Sequence, residues 1–286
     1  MAEHAVEAIL AEVGGGDATW TPVGSQSPEL AEIPQNWRPI ASASTSSERC
    51  RHAMSLWGPD FTELLPDFSR RFQDELSDVR IFRRELGGVF ENVLIYAAGE
   101  ARDGFPALWL GWDPALFGQP EAEFFDCFPE AVQTFLRDVH PGFTAQDWES
   151  YGIKRPDTWE SFEGYDWFPS ESFDEIETMP SQLMWFTKDS GQLYYCVNSR
   201  LPGKVTLAYE GNFDPPGDFA AELDELLTRR WDEQSRRHPR DRRPGRRLSR
   251  LSRRTGRRSN RPMCLTRHHR SGRPPNPPSR SPEPDG

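Results

Sequence analysis

The sequence changes character near Thr228, and this change limits how much of the chain can fold around one core. Residues 1–228 contain 15 Lys and Arg against 40 Asp and Glu, a net charge of -25. Residues 229–286 contain 19 Arg, no Lys and 5 Asp and Glu, a net charge of +14, so the two parts sum to the -11 of the whole chain. We predict a disordered tail over 229–286, because a segment so rich in Arg, Pro and Ser buries too little apolar surface.

The first 59 residues are predicted to be a short helix followed by a partly ordered linker. Four apolar residues recur at helical spacing before a run of glycines ends the pattern: Val6, Ile9, Leu10 and Val13. The linker reaches about Cys50 and is rich in Ser, Pro and Gly, but Trp20 and Trp37 are expected to hold parts of it against a neighbouring surface.

The location of the protein is predicted from its apolar and basic runs. The N-terminal region is acidic and has no basic leader before an apolar stretch, which argues against a secretory signal. No apolar run approaches the roughly 20 residues that a membrane-spanning helix needs. We therefore expect a cytoplasmic protein without a membrane span, with its four cysteines as reduced thiols.

Residues 60–228 are predicted to form an acidic α+β domain. Helices are indicated after Pro66, after Pro129 and after Asp218, which can cap the last of them. Apolar runs indicate six strands in two groups, at 79–85, 89–97, 107–112, 183–187, 192–197 and 204–210. Because the strands follow one another in hairpins, the predicted class is α+β with a largely antiparallel sheet and flanking helices. The repeated order of three strands and a helix leaves open whether 60–127 and 128–228 are one domain or two related blocks.

The second block resembles the SUKH superfamily, whose bacterial members are mostly immunity proteins against polymorphic toxins and whose fungal members regulate cell-wall assembly. The resemblance rests on the helix start Phe128-Pro129-Glu130, on the turn Asp189-Ser190-Gly191 before an aromatic strand, and on the closing helix at 219–227. It implies a SUKH-like part at about 126–228 that binds another protein, without catalysis, cofactor or metal.

The candidate site is the aperiodic segment 143–181, which interleaves acidic and aromatic residues. Aromatic anchors supply much of the binding energy at interfaces, and charge steers the encounter. A protein with a basic surface is the predicted partner, for example a toxin nuclease, which must hold phosphates. The predicted partner-binding residues are Trp148, Asp157, Trp159, Glu160, Glu163, Asp166, Trp167, Asp174 and Glu175. The competing interpretation places the tryptophans in the core and the acids on a solvated face.

Catalytic alternatives use the same residues or the cysteines. Two carboxylates could act as general acid and base on a sugar stacked on Trp, as in a glycosidase. A nucleophilic dyad would join His140 to Cys127 or Cys196, although a charged His140 also suits the C-terminus of the preceding helix. No zinc spacing, calcium loop or phosphate-binding glycine loop occurs in the sequence, so no metal or cofactor is predicted.

Three interpretations of the tail stay open. Its arginines could bind nucleic acid or an acidic membrane surface through phosphate contacts. The complete absence of Lys is also what GC-rich DNA read out of frame would produce, in which case the tail has no evolved role. Finally, the basic tail could fold back on the acidic body.

Overall fold

Two antiparallel sheets, with helices before, between and after their strands, organise the chain. The computed structural model describes residues 6, 10, 18–99, 106–118, 122–164 and 168–236. The arrangement confirms the predicted α+β class, with largely antiparallel pairing and flanking helices. Met1–His238 is one compact unit, so the domain begins well before the boundary predicted near residue 60.

The strands and helices have the following bounds. The strands are β1 (Thr19–Val23), β2 (Leu76–Leu86), β3 (Val89–Ala98), β4 (Ala107–Trp112), β5 (Phe143–Ala145), β6 (Glu160–Ser161), β7 (Leu183–Lys188), β8 (Tyr194–Asn198), β9 (Lys204–Tyr209), β10 (Asn212–Phe213) and β11 (Gly217–Asp218). The α-helices are α1 (Arg38–Ser42), α2 (Ser46–Met54), α3 (Pro59–Leu64), α4 (Pro66–Glu75), α5 (Ala122–Phe125), α6 (Glu130–Asp138), α7 (Ser170–Glu175) and α8 (Phe219–Arg236). Short 3-10 turns lie at Pro28–Ala31, Gln35–Trp37, Pro114–Leu116, Pro156–Thr158 and Pro180–Gln182.

The first sheet has the strand order β1-β2-β3-β4-β5, and its central strands are buried on both faces, β4 along its whole length and β3 over its second half. On β3, Leu94 and Tyr96 face the main core, whereas Val93 and Ile95 face a second cluster that includes Val6 and Leu10. Val6 and Leu10 are helical, as the N-terminal pattern predicted, while the residues around them lie outside the described part of the chain. The uninterrupted apolar run of β3 thus matches a strand that is covered from both sides.

The second sheet has the order β10-β9-β8-β7-β6, and β11 also pairs with β9. Phe186 and Val197 on its inner face share the main core with the first sheet. Trp185 and Cys196 on its outer face belong to a third cluster, which the segment around Phe162 covers. Both blocks, 60–127 and 128–228, therefore contribute to one core.

The predicted linker is structured from β1 onward. β1 pairs with β2 over five residues, from Thr19 opposite Glu85 to Val23 opposite Ile81. Trp37 is fully buried, so the expectation that this indole holds the segment in place is met. Sequence composition suggested a linker here, yet the pair Thr45 and Glu48 forms a capping box at the start of α2, a local signal of a helix.

The last helix continues past the predicted boundary at Thr228. Arg230 donates from Nη2 to the Leu108 carbonyl (2.8 Å) and to Gln146 Oε1 (3.0 Å). The Trp231 ring lies 4.7 Å from that of Trp109. The prediction that the tail begins at 229 is wrong, because Arg230 and Trp231 belong to the packed domain; residues 237–286 lie outside the described part.

Asp224 of α8 caps α4 from a distant part of the chain. Its Oδ1 accepts from the Phe68 amide (2.7 Å) and its Oδ2 from the Asp67 amide (3.1 Å). The local N-cap, Leu65, offers no side-chain acceptor. Because the first amides of a helix have no partner within the helix, a carboxylate there satisfies them and interacts favourably with the helix dipole.

We expect Asp224→Ala to lower the free energy of unfolding by about 2 kcal/mol, because it leaves two amides at a packed helix end without an acceptor. Asp218→Ala is the control: it removes the exposed cap of α8, where Asp218 Oδ1 accepts from Ala220 and Ala221, and should cost about 1 kcal/mol. Urea unfolding of both variants measures the difference. A smaller loss for Asp224→Ala than for Asp218→Ala would contradict the cap.

A buried polar network surrounds His140, which is 0% exposed. Its Nδ1 donates to the Trp112 carbonyl (3.0 Å), so Nε2 is unprotonated and accepts from the Tyr96 hydroxyl (2.7 Å). Trp57 Nε1 donates in turn to the Tyr96 oxygen (3.3 Å). Gly111 makes room for the ring, since a Cβ there would lie 2.5 Å from Nε2. His140 follows the C-terminus of α6 as expected, but burial lowers its pKa to about 4, so the neutral ring has no charge to interact with the helix dipole near pH 7.

The protein should lose stability as the pH falls from 6.5 to 4, because the unfolded chain binds a proton at His140 that the folded chain does not. At pH 4 and below, this difference in proton binding lowers the free energy of unfolding by about 3 kcal/mol. His140→Gln can donate to Trp112 and accept from Tyr96 without titrating, so it should lack this component. Chemical unfolding of both proteins across this pH range measures it; parallel curves would contradict the assignment.

Candidate functional site

The predicted binding segment, 143–181, is divided between the two sheets: its first residues form β5 of the first sheet, and its described residues from Phe162 onward cover the outer face of the second. Within it, β6 is an edge strand and α7 covers the third cluster. Residues 157–187 contain eight Asp and Glu and no Lys, Arg or His. We call its exposed carboxylates without an ion pair the acidic surface; they are Glu163, Glu171, Asp174, Glu175 and Glu177.

The five carboxylates of the acidic surface lie within one stretch of chain, residues 157–187, that has no basic residue of its own. Among the described residues, no Lys, Arg or His lies within ion-pair distance of its five carboxylates. Like charges that lie close together on a surface produce a negative potential that attracts a cationic partner over several ångströms. This potential is the property of the segment that can act on another molecule.

An aromatic cluster explains why these carboxylates point outward. Phe162, Phe168, Phe173 and Phe213 contact one another with ring centroids 4.9–6.2 Å apart. Ser172 on α7 is buried as well and donates to the Gly211 carbonyl. Because the rings occupy the side of the segment that faces the sheet, the acids between them are left on the solvent side.

Trp148 and Trp159 are not presented to solvent as the binding hypothesis requires. Trp159 is half-buried: it stacks on Phe128 with centroids 4.9 Å apart and donates from Nε1 to the Lys154 carbonyl (3.0 Å). Trp148 is also half-buried and lies under the Arg84 guanidinium, 3.9 Å from its ring centroid. Both rings contact the protein itself, as the competing interpretation held, instead of projecting as anchors. Asp166 and Trp167 lie outside the described residues.

Trp148 and Asp157 are joined in a charge network that the sequence did not indicate. Glu91 on β3 accepts from Arg84 Nη1 (2.6 Å) and from Arg155 Nη1 (2.7 Å). Arg155 also donates to both carboxylate oxygens of Asp157, and these hydrogen bonds lower the pKa of Asp157. Asp157 is therefore exposed but paired with Arg155, and Arg155 ties this part of the chain to Glu91 of the β2–β3 hairpin.

Glu160 has a partial partner in the buried Lys154. The Lys154 ammonium lies 3.3 Å from the centroid of the Trp185 ring and 4.0 Å from Glu160 Oε1. Burial lowers the pKa of Lys154 to about 8, against the opposing effect of Glu160. Glu160 thus compensates a buried cation, which leaves Glu163, Asp174 and Glu175 as the predicted site residues that are both exposed and unpaired among the described residues.

The nucleophilic dyad considered as an alternative is not formed. Both ring nitrogens of His140 are occupied by Tyr96 and Trp112, whereas the Cys127 thiol donates to the Asn198 carbonyl (3.4 Å). Cys196 is fully buried, and burial raises the pKa of its thiol. Cys50, Cys127 and Cys196 are free thiols, and Cys264 lies outside the described residues.

Residues 18–99, 106–118, 122–164 and 168–236, with Val6 and Leu10, contain no group of three His, Cys, Asp or Glu that could hold a metal ion. The helices within these ranges are too short or too polar to cross a bilayer.

Comparisons of the chain with models of protein families, with curated proteins and with solved structures found no match. The resemblance of residues 128–227 to the SUKH superfamily therefore stays a prediction.

Glu91→Gln should lower the free energy of unfolding by about 2 kcal/mol, since it removes the carboxylate that two partly buried guanidinium groups share. Glu163→Gln, on the acidic surface, should change it by less than about 0.5 kcal/mol. Urea unfolding at low salt measures both values. Equal effects would mean that the Glu91 network does not stabilise the fold more than an unpaired surface acid.

Proposed function

We propose that this protein is a non-enzymatic protein-binding module whose acidic surface docks a partner with a basic surface. One observation carries the proposal: five exposed carboxylates without an ion pair among the described residues lie on a segment that an aromatic cluster holds in place. The resemblance to SUKH immunity proteins supports a toxin as the partner, such as a nuclease with a phosphate-binding surface.

Charge of this kind acts mainly on the rate and orientation of binding. Complementary potentials steer diffusing proteins together and exclude partners of the same sign, but exposed ion pairs add little affinity. At cellular salt the attraction extends over a Debye length of about 8 Å. The acidic surface therefore selects a basic partner, and an apolar contact elsewhere has to supply further binding energy.

The two alternative functions have less support. A carbohydrate-active site needs an open aromatic platform beside its carboxylates, whereas Trp148 and Trp159 stack on the protein's own side chains. For nucleic-acid binding through the tail, Arg229 pairs with Asp189 and Glu225, and Arg230 binds the Leu108 carbonyl. These two arginines serve the fold, and the acidic surface would repel phosphates.

The test is capture of partners by the full-length protein at low salt, followed by affinity measurement with the captured protein. The triple variant Glu163→Lys, Asp174→Lys and Glu175→Lys should weaken binding about tenfold or more, mostly through a slower association rate. The wild-type association rate should also fall as salt rises, and that of the variant much less.

A matched control separates this surface from net charge. Glu63→Lys, Asp74→Lys and Asp138→Lys changes the net charge equally at exposed acids on α3, α4 and α6. Its affinity should stay within about twofold of wild type. If both triple variants weakened binding of the partner equally, or if neither weakened it, the acidic surface would not be the docking site.

A further inference from the structure

The hairpin of β2 and β3 ends in an exposed apolar tip. Leu86, Val89 and Phe90 are 40%, 62% and 52% exposed. The turn between them is Gly87-Gly88, with φ of 59° and 83°, the backbone that a two-residue hairpin turn requires. β1 reaches only Glu85 on one side and β4 only Val93 on the other, so the tip extends beyond both neighbouring strands.

Phe90 forms one wall of a cleft of about 270 Å³. The other walls come from β1, the first 3-10 turn and β2, and consist of Thr21, Pro28, Glu29, Glu32, Arg83 and Glu85. This volume lies below the range of about 300–1,000 Å³ that is usual for small-molecule sites, and it suits a single side chain.

The cleft combines an aromatic face with unbalanced negative charge. The Arg83 guanidinium lies 4.5 Å from the Phe90 centroid and pairs with Glu32 (2.6 Å), so these two charges cancel. Glu29 and Glu85 have no ion pair among the described residues. An occupant should therefore offer an aliphatic stem for Phe90 and Pro28 and a cation for the two free carboxylates.

We propose that this cleft binds an arginine or lysine side chain of the protein partner, next to an apolar residue that meets the hairpin tip. The inference rests on the proposed function and adds the contact that the acidic surface lacks, an apolar anchor with a specific charge. Arg83 already shows that a guanidinium can lie on the Phe90 ring.

Charge complementarity favours such a partner over a second copy of this chain. Two copies would bring together bodies whose residues 1–228 each carry a net charge of -25. Glu29, Glu32 and Glu85 around one tip would also approach the same residues of the other, which costs energy unless a cation separates them.

The experiment uses N-acetyl-arginine amide as the probe, with N-acetyl-citrulline amide as its uncharged analogue. Titration of the 15N-labelled full-length protein should give saturable shifts at Glu29, Glu85 and Phe90, with a dissociation constant of about 1–10 mM. Citrulline should bind about tenfold more weakly, because it lacks the charge.

Matched variants test the two parts of the cleft. Phe90→Ala and Glu85→Gln should each weaken binding of the arginine probe about three- to tenfold. Tyr209→Ala, which removes another exposed aromatic ring, and Glu177→Gln on the acidic surface should leave binding unchanged.

The proposal that the cleft binds a basic side chain would be wrong if the arginine probe gave no saturable shift, if citrulline bound equally well, or if the shifts centred on the acidic surface. It would also be wrong if the wild type formed a dimer that Phe90→Ala abolishes, because the tip would then bind a second copy of the chain. Failure of the acidic surface is distinguishable, because the Glu163, Asp174 and Glu175 triple variant should still bind the probe. Conversely, if a captured partner bound Phe90→Ala as tightly as wild type, the cleft would not be part of the docking site, and the proposal for the acidic surface would be unaffected.

Discussion

The packing of the last helix is the constraint on which the rest of the structure depends. α8 places Phe219, Leu223, Leu226, Leu227 and Trp231 in the core that both sheets share. The same helix supplies Asp224 to the start of α4 and Arg230 to the carbonyl of Leu108 on β4. Residues of α8 thus contact the first sheet, the second sheet and α4, so the strands of both sheets lie in one compact unit.

Charge in this domain falls into two classes. Where a carboxylate has a cationic partner, it stabilises the fold: Glu91 joins Arg84 to Arg155, and Glu160 lies near the buried Lys154. Burying an ion is costly unless a counter-charge is close, so these partners are necessary for the packing around them. Other exposed carboxylates also have no ion pair among the described residues, Glu63, Asp74 and Asp138 among them. We propose only those of the acidic surface, and Glu29 and Glu85 beside the β2–β3 hairpin, for contact with a partner.

The two proposed contacts divide the work of binding between distinct physical effects. On α7 the negative potential is broad and exposed, which suits attraction and orientation. At the hairpin, Phe90 and the tip residues offer apolar area next to Glu29 and Glu85, which suits a short-range contact with a defined side chain. Trp148 and Trp159 do not take part as anchors, because their rings contact the protein itself: Trp148 lies against Trp112 of β4, and Trp159 against Phe128 before α6.

The sequence alone determined the α+β class, the six main strands, the turn at Gly87-Gly88 and the cap at Asp218, because each depends on periodicity or on residues close in the chain. Tertiary structure decided the rest. Residues 19–23 form β1 because they pair with the edge of β2 that β3 leaves free, and residues 160–161 form β6 because they pair in the same way with β7. The position of the Trp148 ring depends on Arg84, and the packing of Trp231 depends on Trp109, each more than 60 residues away in the chain. Composition could not separate these residues from a loop or a tail, since burial and ion pairing arise only when distant segments meet.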